Sequence, residues 1–127
     1  MSKIVAQIAT LNKMVVNTSK GVVEREFTPE TLEQLAKSAA NKPVTLGFNG
    51  IHMGEVKRAW VEDNAVFVEF EGDSFNRKHL VPGFKTTTTI GNKFKTVRCV
   101  DFALTDKPSD KSLKTIQELN VSVEEVC

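Results

Sequence analysis

The chain has 127 residues, enough for one domain that buries a real core, so neither a metal nor a disulfide framework is needed to stabilise it. Seventeen Lys and Arg against sixteen Asp and Glu leave a formal charge of +1, and the two signs alternate along the chain, which gives no electrostatic case for nucleic acid or a membrane surface. Cys99 and Cys127 fit no metal-ligand or disulfide spacing and read as free thiols; Met1-Ser2-Lys3 opens no signal peptide and no apolar run reaches membrane-spanning length, so the expectation is synthesis in a reducing cytoplasm.

Ile4 to Thr10 and Lys13 to Asn17 read as strands, and Ser19-Lys20-Gly21 as a turn into Val22 to Phe27. Thr28-Pro29-Glu30 is a helix start: Thr28 caps free amides, Pro29 suits the first helical position and Glu30 complements the dipole. Leu32, Leu35, Ala36 and Ala39 fall on one face, and Asn41 with Pro43 ends the helix. Val44 to Phe48 is extended, Asn49-Gly50 is loop-like, and Gly54 to Glu62 forms a hairpin with Ala65 to Glu71 across Asp63-Asn64. In that second strand Val66, Val68 and Phe70 face one way and Phe67, Glu69 and Glu71 the other.

Asp73 to Gly83 is polar and predicts a loop or a helical turn, followed by strands Phe84 to Ile90 and Lys93 to Leu104 joined by Gly91-Asn92. Pro108, Ser109 and Asp110 lead into a second helix carrying Leu113, Ile116 and Leu119, and Val121 to Val126 suits a short edge strand. With no linker or repeat, residues 1–127 read as one α+β, mainly β domain: a small curved sheet or closed β-barrel of six or seven strands with two peripheral helices.

Chemistry has few carriers. His52 and His79 stand in no ligand spacing, and Gly47, Gly50 and Gly54 lack the following helix of a phosphate loop, so neither a metal nor a cofactor is expected. Ser74 and the threonines Thr86 to Thr89 are nucleophiles only if folding brings one of them to His52. Trp60 reads as a sheet-face anchor, Phe67 as an exposed aromatic suited to an interface, and Asn76-Arg77-Lys78-His79 as a solvated loop able to meet an acidic neighbouring subunit.

Glu26-Phe27-Thr28-Pro29-Glu30-Thr31-Leu32, Pro43-Val44-Thr45-Leu46, Met53-Gly54-Glu55-Val56 and the alternating strand 65–71, in this order, resemble the front of the prohead maturation proteases of tailed phages, enzymes whose fold is similar to herpesvirus assemblin. Thr86-Thr87-Thr88-Thr89-Ile90-Gly91 resembles the segment in which that family carries Ser-Ile-Gly with its nucleophile, and Val100 to Pro108 resembles the family's later strand ending near a proline. The likeness runs from Ile4 to Ile116 and implies a protease-like scaffold. It also implies lost chemistry. Thr89 occupies the place of the serine, Asn49-Gly50 that of the histidine, and His52 stands beside Met53-Gly54, displaced from the catalytic position.

The expectation is therefore a phage virion protein without enzymatic activity, a decoration, cement or accessory protein that binds capsid or other virion proteins in an oligomeric assembly. The alternative is an active maturation protease that cleaves scaffold and capsid proteins with Thr89 or Ser74 as nucleophile and His52 as base. A third is an adaptor that binds partners along exposed strand edges.

Overall fold

The computed structural model describes residues 3–19, 21–47, 51–74, 76–86 and 89–120. The order is β1 (Lys3–Thr10), β2 (Met14–Thr18), β3 (Gly21–Arg25), α1 (Pro29–Ala39), β4 (Pro43–Leu46), β5 (His52–Glu62), β6 (Ala65–Gly72), β7 (His79–Thr86), β8 (Thr89–Ile90), β9 (Lys93–Phe94), β10 (Val97–Thr105) and α2 (Ile116–Leu119). Six strands make one sheet in the order β1-β6-β5-β4-β10-β7, while β2–β3 and β8–β9 are separate ribbons. The sheet curls until its edge strands β1 and β7 touch, yet no ladder joins them among the described residues. The result is a curled half-barrel, the curved-sheet form of the α+β, mainly β class expected from the sequence.

Alternation sets the inner face. Val66, Val68 and Phe70 are fully buried, and opposite them on β5 Val56 is too. The β5–β6 hairpin turns through Asp63 and Asn64, whose φ values of 51° and 60° give the type I′ twist that strands favour. In α1 the Thr28 hydroxyl accepts from the Thr31 amide, and Thr31 reaches back to the Thr28 amide. Leu32, Leu35 and Ala39 then join Val56, Phe70 and Phe102 in one core. Hence α1 packs one face on the core and keeps Glu30, Glu33 and Lys37 exposed on the other. Its Gln34 and Ser38 side chains accept from Val97 N–H and Cys99 N–H, both at 2.8 Å, where β10 extends beyond its pairing with β4.

Several segments differ from their expected form. The loop expected over Asp73 to Gly83 gives way at His79 to β7, which continues through Pro82; an edge strand tolerates proline because no neighbour needs its missing N–H. That strand ends at Thr86, and Thr89–Ile90 leaves the sheet to pair with Lys93–Phe94. The strand expected over Lys93 to Leu104 breaks after Phe94, whose ring packs 5.0 Å from Phe27 and 5.2 Å from Phe84 while its amide bonds to Glu26 O. The second helix is one turn, started by a Thr115–Glu118 capping box, and Leu113 lies ahead of it. The expected loop Asn49-Gly50, the edge strand Val121 to Val126 and Cys127 lie outside the described residues.

Residues 110–120 cover the open side of the curl. Thr10 donates its hydroxyl to Asp110, Lys114 N–H bonds to Gln7 Oε1, and Ile116 N–H bonds to Lys78 O at the start of β7. Asn120 holds Val5 on β1 from both sides, accepting from its N–H at 2.9 Å and donating to its C=O at 2.7 Å.

Candidate functional site

β4 ends next to the start of β5, and there His52 pairs with Thr45, which in turn pairs with Ala103 of β10. His52 is exposed, and its imidazole makes no hydrogen bond or ion pair among the described residues. The Thr45 hydroxyl beside it is committed to the backbone, 2.9 Å from Phe102 O and 2.5 Å from Gly47 O. Thr89 stands elsewhere. It pairs with Phe94 in the small ribbon that continues from Thr86, and Thr86 pairs with Val97 at the far end of β10. From Ala103 to Val97 an extended strand spans about 20 Å. The ladder thus places His52 and the threonine ribbon towards opposite ends of β10. Ser74 is half-buried in the turn after β6, where its carbonyl accepts from Arg77 N–H, and no hydrogen bond joins it to His52.

The aromatic pair singled out in the sequence does meet. Trp60 and Phe67 are cross-strand neighbours on the outer face, stacked with centroids 5.9 Å apart and planes at 17°. The Arg58 guanidinium lies 4.6 Å above the Trp60 ring and pairs with Glu69 at 3.4 Å, while the indole N–H donates to Glu62. Both rings are half-buried, so this is a solvent-facing aromatic platform.

The basic loop is tied inward. Arg77 pairs with Asp106 at 3.4 Å, and Lys78 N–H donates to the same carboxylate at 2.9 Å. That amide, with Arg77 beside it, holds the Asp106 carboxyl below its ordinary range. Lys78 remains exposed, but His79 is buried, contrary to its expected place in a solvated loop. The apolar alternation of β7 carries it under the C-terminal segment, where Nδ1 has no partner and burial lowers its pKa. Cys99 is a buried thiol, with its pKa pushed up to about 12 by desolvation and then by Asp101.

The described residues also form surface hollows. One, of about 170 Å³, lies at the β1–β7 seam and is walled by Ile8, Met14, Phe27, Val81, Pro82 and Phe84, with Ser109 and Asp110 at its edge. Another, of about 150 Å³, is lined by His52, Gly54, Glu55, Lys57 and Glu71. A third, of about 360 Å³, is lined by Lys85, Thr86, Thr96, Val97 and Arg98. In the second, Glu55 stands directly across the ladder from Glu71; in the third, Lys85 stands across from Arg98. Neither like-charged pair was among the residues the sequence singled out. The basic one has a signal: from Phe84 to Val100 there are four cations and no Asp or Glu, a break in the apparent alternation of signs.

No family model matches this chain, and searches of curated proteins and of solved structures found no match either.

Proposed function

We propose that this chain is a structural protein of a tailed-phage virion, a capsid decoration, cement or accessory protein built on a prohead-protease-like scaffold that no longer performs its chemistry. The observation that carries the reading is the placement of His52 and the Thr89 ribbon towards opposite ends of β10. Acyl transfer needs the base within about 2.6 to 3.2 Å of the attacking hydroxyl. The Thr45 hydroxyl, across the ladder from His52, is bonded to backbone carbonyls. The stacked Trp60–Phe67 pair supports a binding role, since aromatic anchors dominate protein interfaces.

The test is incubation with purified capsid and scaffold proteins, followed by fractionation of mature heads. Co-sedimentation with heads and intact capsid protein is the expected result. Site-specific cleavage that disappears in Thr89→Ala or His52→Ala would establish the protease alternative instead.

A further inference from the structure

The net charge of +1 hides a segregation that the fold creates. On the outer face of β7–β10 the cations Lys85 and Arg98 face each other across the ladder, both exposed, and neither forms an ion pair among the described residues. Lys93 and Lys95 are exposed on the adjoining ribbon and the residues after it. On β5–β6 Glu55 and Glu71 are likewise cross-strand neighbours, in a hollow shared with His52 and Lys57, and Lys3 of β1 stands on the other side of Glu71. Directly opposed like charges destabilise a sheet. A partner of opposite sign relieves the basic pair and Glu55, and the chain carries both signs.

We propose that these two hollows are the two halves of a head-to-tail contact between copies of this chain, the Lys85–Arg98 pair of one copy receiving the Glu55–Glu71 pair of the next. The hollows are different surfaces, so the contact is heterologous and propagates as a ring or filament instead of closing as a two-fold dimer. The hydroxyl of Thr86 borders the basic hollow and is suited to donate to a carboxylate. Two cations line this hollow and Glu26 bridges to Lys93 on the adjoining ribbon, which is short of the basic stripe that duplex DNA engages and favours protein carboxylates as the occupant. The inference goes beyond the virion reading and does not depend on it, because it concerns the purified chain alone.

Sedimentation equilibrium of the full chain tests it. Self-association at about 50 mM salt that weakens at least tenfold by about 0.5 M is expected, as screening requires. The double variants K85E/R98E and E55K/E71K should each stay monomeric while keeping the parent Tm, and mixing the two should restore association, since one then carries only acidic hollows and the other only basic ones. A parent chain that remains monomeric at low salt, association unchanged in either variant, or a mixture that fails to associate would overturn the proposal. Preferential capture of an oligonucleotide or an acidic peptide by the Lys85–Arg98 hollow, without self-association, would overturn it as well.

Discussion

His79 lies beneath the junction of β7 and the C-terminal segment, with Nδ1 buried and unpartnered. Desolvation lowers its pKa, against the raising influences of the Lys114 backbone, Asp106 and Glu118; Lys78 acts in the lowering direction. The unfolded chain takes up this proton near the ordinary value of about 6.5, the folded chain only at lower pH. Between those values the unfolded state binds more protons, so stability falls as pH falls through this window and is independent of His79 above it. Urea unfolding of the parent should therefore weaken from pH 7.5 to 5.5, and His79→Gln should flatten the profile; an equally steep profile in the variant would assign the dependence to another group. This histidine was readable from the sequence only as one of two candidates. Its burial came from β7 beginning at His79, which Pro82-Gly83 had disguised as loop.

At the scale of elements, the β5–β6 hairpin was legible almost to the residue because period-two alternation and the Asp63-Asn64 turn agree. The close backbone approach at its far end was not. There Gly54 and Gly72 pair with φ of 150° and 154°, and a Cβ on either would strike the carbonyl of Glu71 or Met53 across the ladder. Both the backbone conformation and the close approach exclude a side chain. Gly54→Ala should lower the unfolding free energy by about 2 to 3 kcal/mol, read from denaturant midpoints at unchanged slope. Unchanged stability would mean that the two backbones stand further apart than described. The short elements were the least legible, because Phe94 breaks its strand for a tertiary reason: it completes a cluster with Phe27 and Phe84, residues distant in sequence.

The whole molecule is closed by side chains. β1 and β7 meet without a ladder among the described residues, and residues 110–120 lace them together, with Asn120 imitating a neighbouring strand at Val5. Removing that amide leaves the Val5 backbone to water, at a cost of about 1 kcal/mol. Asn120→Ala should accordingly speed hydrogen exchange at the Val5 amide several-fold while leaving core amides of β6 slow; uniform acceleration across β6 would instead indicate global destabilisation. The same closure blunts the β1 edge, which limits edge-to-edge pairing to β7.

The sequence by itself determined the mainly β class, the helix at Pro29 with its Thr28 cap, and the inward face of β6, because each rests on interactions within a few residues or on a regular period. Only the tertiary structure decided which strands α1 covers, that His52 and the Thr89 ribbon lie towards opposite ends of β10, and that like charges pair across two ladders of the sheet. Those features depend on strand order and register, which are set by long-range packing, and a one-residue slip in register would have opposed different side chains.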